Sequence, residues 1–99
     1  MLFVTLGNRH PDIFEEAMRR RVDWKPAEDQ HIVAEYWLPT TKPALIVVSE
    51  AESFIPVFKA LADWQDLFDL QTYPVVTADE GLEMSREKLA QHALAAVGV

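Results

Sequence analysis

His31 and Glu35 are the residues whose types and spacing come closest to acid–base chemistry. Both fall in the segment 30–38, QHIVAEYWL, whose apolar, β-branched and aromatic residues are typical of a strand. Four residues along a strand place the two side chains on one face, roughly 13 Å apart. That separation is too long for a catalytic base and the residue that orients it, although both side chains could line one cavity.

The two residues have two interpretations. If Glu35 points into a closed cavity, burial raises its pKa and allows it to act as a general base. Alternatively, His31 occupies an exposed strand end, and Glu35 pairs with a cation from a loop or from a partner chain.

Three aromatic residues with polar atoms lie in predicted strands. Tyr36 and Trp37 follow Glu35 directly, and Tyr73 lies in the segment 69–76. Their rings could shape a pocket for a small ring compound. The alternative is that they pack in the core or in an interface between chains.

Other polar residues favour structural roles. His10 stands at the start of a predicted helix and could bind an anion there, but no Gly-rich phosphate loop accompanies it. The residues around His92 offer no second metal ligand at helical spacing. The spacing of a calcium loop is missing from the acidic residues Asp63, Asp66 and Asp69. We therefore expect no metal ion and no cofactor.

The composition excludes several classes of protein. The chain has 99 residues and a formal net charge of −7, which argues against nucleic-acid binding. The basic triplet 19–21 fits the end of a helix better than a phosphate-binding patch. No apolar stretch reaches the roughly 18 residues of a membrane span, and the opening residues do not resemble a signal peptide. There is no Cys. We expect a cytoplasmic protein that binds neither nucleic acid nor membrane.

The spacing of apolar residues predicts four strands and three helices. The strands are expected at 2–6, 30–38, 44–49 and 69–76, and the helices at 11–22, 53–63 and 77–98. Pro11 suits the first turn of the first helix, and Thr77 with Glu80 matches a capping box at the start of the last. The order β-α-β-β-α-β-α predicts an α+β fold, a ferredoxin-like antiparallel sheet with an extra C-terminal helix. We expect one domain, with the core in 1–77 and a helical extension in 78–99.

The predicted strands are apolar on both faces. In the segment 44–49, for example, Val48 points one way and Val47 the other. Two helices cover only one face of a four-stranded sheet, and an uncovered apolar face usually marks an interface. We therefore expect a homodimer in which two sheets pack face to face with two-fold symmetry. The alternative is that the C-terminal helix folds over that face.

The same alternation predicts which face of the second strand holds the cavity. A charged side chain beneath the helices would be costly, so the ionisable set is expected to face the partner sheet and the cavity. That set is His31, Val33, Glu35 and Trp37, and the set expected beneath the helices is Ile32, Ala34, Tyr36 and Leu38. In this arrangement desolvation would raise the pKa of Glu35.

Five features carry a resemblance to a known family. They are the stretches 64–70 (WQDLFDL), 73–76 (YPVV) and 1–6 (MLFVTL), together with Trp37 and Glu50. This combination resembles a family of small bacterial proteins defined only as a domain of unknown function. That family is similar to the dimeric α+β barrels, in which two ferredoxin-like sheets pair into one barrel.

The resemblance covers roughly residues 1–77 and includes two departures. Leu38 stands where the family often has a His, and the segment 40–43 stands where the connection is often Gly-rich. Any role of that His in relatives is therefore not available to this chain. Within the signature, Trp64 is expected to be largely buried, with Asp66 capping or bridging nearby backbone.

Two functions fit these observations. The first is a homodimeric α+β barrel that binds a small organic molecule in the barrel; an enzyme of this kind would be a metal-free oxygenase or isomerase. This expectation rests on likeness of fold, and one fold hosts many functions. The second is a non-catalytic assembly or interaction module with a filled barrel. The two differ in whether a partly polar cavity is open or is filled by side chains.

Overall fold

A computed structural model describes residues 1–97. The elements are β1 (Leu2–Arg9), α1 (Phe14–Asp23), β2 (Gln30–Trp37), β3 (Leu45–Ala51), α2 (Ile55–Trp64), β4 (Phe68–Val75) and α3 (Ala78–Val97). The four strands form one antiparallel sheet in the order β2-β3-β1-β4. The predicted ferredoxin-like α+β fold is therefore confirmed. The predicted end of the last helix near Gly98 lies outside the described residues.

The first helix begins later than predicted. Pro11 was expected in its first turn, but Asp12 has a φ of 63° and lies in the left-handed region. A residue in that conformation cannot belong to a right-handed helix, so α1 starts at Phe14. Its charges follow the helix dipole as predicted, with acidic residues in the first turn and the arginines Arg20 and Arg21 in the last.

A bulge in β2 overturns the predicted face assignment. Ile32 pairs with Ser49 of β3, whereas Ala34 already pairs with Val48, so β2 holds one extra residue at Val33. An extra residue reverses the alternation of side chains beyond it. Before the bulge the even-numbered residues of β2 point to the helices, and after it the odd-numbered residues do.

The bulge brings four residues of β2 onto the face that carries the helices. They are Gln30, Ile32, Glu35 and Trp37. The prediction that Glu35 and Trp37 face a partner sheet is therefore wrong, because it assumed an uninterrupted strand. His31 was assigned to the face away from the helices and does lie there, opposite Glu50 of β3.

The core lies between the sheet and helices α1 and α2. One cluster of buried residues comprises Ala17, Ala44, Leu67 and Phe68, and a second comprises Phe3, Ala51 and Val57. Three of these seven side chains are alanines, and the helices and the sheet leave space between them. That space forms the cleft described below.

The other sheet face carries no helix; we call it the open face. Its central residues are Val4, Leu6, Ala34, Tyr36, Ile46, Val48, Tyr73 and Val75. Tyr36 and Tyr73 are about half exposed. Within residues 1–97, the open face is therefore an uncovered apolar surface.

Helix α3 extends away from the sheet. Thr77 caps it as predicted, since the backbone N–H of Glu80 donates to Oγ1 of Thr77 over 3.1 Å, while the Glu80 carboxylate accepts from the Thr77 hydroxyl over 3.2 Å. All side chains from Leu82 to Ala96 are exposed, and the described chain measures 63 × 29 × 17 Å. The alternative that this helix folds over the open face of its own chain is not the arrangement observed.

Candidate functional site

A cleft runs between the helices and the sheet along β2. Its lining includes the first and last residues of that strand, Gln30 and Trp37, which are roughly 20 Å apart along a strand of this length. Its volume is about 100 Å³, several times the space that one water molecule needs. Trp37 and Phe14 are about half exposed and line the open part, whereas Gln30 and Val57 are buried and line the closed part.

Aromatic side chains form much of the wall of the cleft. All three tryptophans of the chain, Trp24, Trp37 and Trp64, line it. Trp64 packs edge-on against Trp24 at 5.7 Å between ring centroids and against Phe68 at 6.1 Å. Trp64 was predicted to be largely buried, but it is only partly buried, because one side of its ring faces the cleft.

An ion pair between Glu35 and Arg21 is the main polar feature of the cleft. Arg21 donates from Nη2 to Oε1 over 2.8 Å and from Nε to Oε2 over 3.0 Å. Trp37 donates from its indole Nε1 to Oε2 over 2.7 Å. The pair is mostly removed from solvent, with 18% of the Glu35 side chain and 33% of the Arg21 side chain exposed.

These contacts change the expected chemistry of Glu35. The hydrogen bonds from Arg21 lower the pKa of this carboxyl, the bond from Trp37 adds to them, and partial burial opposes them. The predicted rise of the pKa is therefore wrong, because the arginine and indole donors outweigh desolvation. The same contacts raise the pKa of Arg21. At neutral pH, Glu35 is an ionised acceptor that fixes the positions of Arg21 and Trp37.

Four further contacts form at the end of α1, and three of them connect it to α2. The guanidinium of Arg21 lies 5.5 Å from the ring centroid of Trp24, and the indole Nε1 of Trp24 donates to Oδ2 of Asp63 over 3.0 Å. Arg20 stacks over Trp64 at 5.5 Å and donates to the main-chain oxygen of Asp63 over 2.9 Å. These contacts hold two of the cleft's tryptophans in place.

Asp66 was expected to cap or bridge nearby backbone, and its principal partner is Arg20. The two guanidinium nitrogens Nη1 and Nη2 donate to its carboxylate over 2.7 and 2.9 Å. This bidentate contact lowers the pKa of Asp66 and raises that of Arg20.

The sequence analysis missed Arg20 and Arg21 as residues of the site, because it interprets the triplet 19–21 only as charge at a helix end. Their carboxylate partners are 14 and 46 positions away, and helix periodicity carries no signal for such contacts.

Gln30 was also missed by the sequence analysis. It is 7% exposed and lines the closed part of the cleft. Its side-chain Oε1 is buried and finds no hydrogen-bond donor among residues 1–97. A glutamine at the start of an apolar strand gives no signal in the sequence that it will be buried without a partner.

The predicted site residues separate onto the two faces of the sheet. Glu35 and Trp37 meet in the cleft, whereas Tyr36 and Tyr73 lie on the open face and His31 is exposed on that side. His31 and Glu35 therefore do not line one cavity. The two tyrosines do not line the cleft, and packing in an interface between chains stays a prediction for them.

The remaining candidates form local contacts. His10 lies 3.1 Å from Asp69, measured from Nε2 to Oδ1. Within the described part of the chain, no group of three His, Asp or Glu side chains could hold a metal ion. A search of residues 1–97 finds no helix with the length and hydropathy required to cross a membrane.

Comparison with known proteins assigns a family but no activity. No curated protein and no solved structure matches the chain significantly. One family profile matches residues 1–89, which extends the expected similarity beyond residue 77 and into α3. The chain therefore belongs to the family described as "Domain of unknown function (DUF3303)".

Proposed function

We propose that the protein is a homodimer paired as an α+β barrel, and that each chain binds a small, mainly apolar organic molecule in the cleft between its helices and its sheet. The observation that carries the proposal is the cleft itself, about 100 Å³ in volume and lined by all three tryptophans. Ligand sites are typically concave, apolar and aromatic, with a few polar groups that orient the ligand. Here those groups are Gln30, Arg21 and Glu35.

The open cleft supports ligand binding by each chain, whereas the alternative, a non-catalytic assembly or interaction module with a filled barrel, concerns the space between the two sheets. A cleft with only a structural role would be filled by side chains from the helices. The residues of α1 and α2 that reach it include Ala17 and Ala60, which are too small to fill it. The proposal concerns binding, and a cytoplasmic location of the protein in a bacterium stays a prediction.

The proposed second copy covers the open face. Four strands about 4.8 Å apart and about seven residues long present roughly 440 Å². A standard interface takes about 800 Å² from each partner, so the open face supplies about half of it. Helix α3 can supply the rest, because its apolar residues Leu82, Leu89 and Leu94 are exposed. In proteins most of the stability of a helix comes from packing its apolar face, so α3 also gains from a partner surface. We propose the same chain as that partner because the open face and α3 then cover each other's apolar groups.

Ligand binding is tested by titrating the ¹⁵N-labelled protein with toluene or p-cresol and following its tryptophan indole N–H resonances. All three indoles line the cleft, so all three resonances should shift with one saturation curve. Ala60→Phe places a ring in the cleft and should abolish the shifts. Ala62→Phe is the matched control, because Ala62 is an exposed residue of the same helix that does not line the cleft. Unchanged indole resonances in the unmodified protein would refute the proposal.

The homodimer is tested separately by sedimentation equilibrium. The unmodified protein should have twice the chain mass of 11.3 kDa at micromolar concentration. Val48→Asp introduces a carboxylate at the centre of the open face, where a partner would desolvate it, and should yield monomers. Ala62→Asp introduces the same charge on an exposed helix position and should leave the dimer intact. A monomeric unmodified protein would contradict the dimer without affecting the cleft.

A further inference from the structure

Gln30 presents an unsatisfied polar atom inside an otherwise apolar end of the cleft. Its nearest surroundings on the sheet and α2 include Ala51, its partner in β3, and the buried Val57. A buried polar group without a partner destabilises the folded chain, so native proteins seldom retain one without a partner such as water or a ligand. Leucine would fit the same position by size and would remove that cost.

A second unsatisfied atom lies close to Gln30. Oγ of Ser49 is buried without a partner among residues 1–97, and Ser49 is 1% exposed. Gln30 pairs with Ala51 and Ile32 pairs with Ser49, so Ser49 is the diagonal neighbour of Gln30 on the same face. Diagonal neighbours are about 7–8 Å apart, a distance that a long side chain or a small polar group can bridge. Two neighbouring strands therefore each carry a buried polar atom without a partner among residues 1–97, and of these two residues Gln30 is the one that lines the cleft.

The charged residues that line the cleft are Arg21, Glu35 and Arg9, and they lie away from Gln30. Arg21 and Glu35 neutralise each other through their hydrogen bonds. Arg9 stacks over the ring of Phe14, 5.1 Å from its centroid, at the open part of the cleft. No charged residue among those described accompanies Gln30 at the closed end. A charged ligand group there would be desolvated without compensation, whereas a neutral polar group would not.

We infer that Gln30 selects ligands whose apolar body ends in an uncharged hydroxyl group, which hydrogen-bonds to the Gln30 amide at the closed end of the cleft. The inference rests on the proposed function and specifies its ligand class as neutral phenols and alcohols. A hydroxyl both donates and accepts, so it satisfies the amide through either its oxygen or its nitrogen. A carboxylate of the same shape has no donor and brings an uncompensated charge.

Three ligands that share a methylphenyl body test this selection: p-cresol carries a hydroxyl para to the methyl, toluene carries no polar group there, and 4-methylbenzoate carries a carboxylate. Their dissociation constants are measured by titrating the indole N–H resonances of the full-length protein. One hydrogen bond to a buried amide is worth up to about a tenfold difference in affinity, so p-cresol should bind about tenfold more tightly than toluene. The carboxylate should bind more weakly than toluene.

The variant Gln30→Leu should bind p-cresol and toluene equally. It replaces an unsatisfied polar side chain by an apolar one of similar size, so the fold is expected to persist. Gln71→Leu is the matched control, because Gln71 is exposed on β4 and does not line the cleft. This control should retain the preference for p-cresol.

The outcomes separate this inference from the proposed function. If p-cresol and toluene shift the indole resonances with equal affinity, the cleft binds ligands but Gln30 does not select among them, as when an ordered water satisfies its amide. A preference that survives in Gln30→Leu overturns the inference in the same way. If none of the three compounds shifts any indole resonance, the proposed function itself fails.

Discussion

Replacing Glu35 by glutamine is expected to weaken the attachment of α1 to β2. Glu35→Gln keeps the shape of the side chain but removes its charge. The amide has one oxygen, so only one of its two terminal atoms can accept a hydrogen bond from Arg21. The contacts at risk are the 2.8 and 3.0 Å bonds from Arg21 and the 2.7 Å bond from Trp37. Arg21 would then be a partly buried cation without its counter-ion.

The size of the effect follows from the exposure of the pair. Hydrogen bonds to charged groups contribute about 1.5–3 kcal/mol when removed from water, and exposed ion pairs contribute about 0–1 kcal/mol. With 18% of Glu35 and 33% of Arg21 exposed, the pair falls between these cases. We expect Glu35→Gln to lower the free energy of unfolding by about 1.5 kcal/mol at pH 7.

The effect should depend on pH in a defined direction. The pKa of Glu35 is lowered in the folded protein, because Arg21 and Trp37 stabilise its carboxylate. Its contribution is therefore complete above the unfolded-state pKa of about 4.3 and is lost as pH falls through the lower folded-state pKa. Urea unfolding of the unmodified protein and of Glu35→Gln should show stabilities that differ most at neutral pH and converge in acid.

Glu15→Gln is the matched control. Glu15 also pairs with an arginine, Arg19, but 82% of Glu15 and 68% of Arg19 are exposed. Its replacement should change the free energy of unfolding by less than about 0.5 kcal/mol. The reasoning is refuted if Glu35→Gln costs no more than this control, or if its cost stays constant between neutral and acidic pH.

Two further substitutions and one deletion test other parts of the structure by urea or thermal unfolding. Trp64→Ala removes a partly buried ring from the wall of the cleft and should cost about 3 kcal/mol, the low end for aromatic truncation; a loss below about 1 kcal/mol would place the ring at the surface. Deleting Val33 removes the bulge but leaves Ala34 opposite Val48 and Glu35 opposite Val47, so Glu35 keeps Arg21 and the deletion should cost less than Glu35→Gln; a larger cost would contradict the bulge. Thr77→Ala removes the cap of α3 and should lower helix content and cost about 1 kcal/mol, with no change in circular dichroism as the contrary result.

The order and type of the elements could be predicted because they depend on local patterns. Alternating apolar residues mark each strand, and the capping box Thr77–Glu80 marks the start of α3 whatever the rest of the chain does. The antiparallel sheet order follows from the β-α-β-β-α-β sequence of elements. The start of α1 was less predictable, because the left-handed conformation of Asp12 leaves no mark in composition.

The candidate site could be predicted only in part. Glu35 and Trp37 were identified as candidates, but the bulge at Val33 reversed the face on which they lie. A bulge adds one residue without changing composition, so alternation alone assigns the wrong parity beyond it. The direction of the pKa shift at Glu35 then followed from Arg21, a contact between elements that no local pattern encodes.

The most direct test of the whole account is a crystal structure of the protein grown with p-cresol. It should contain the ring between the helices and the sheet, beside the three tryptophans, with its hydroxyl on Gln30. It should also show a second copy of the chain covering the open face. A cleft closed by rearranged side chains, with p-cresol absent or bound on the open face, would contradict the claim that the cleft is the ligand site.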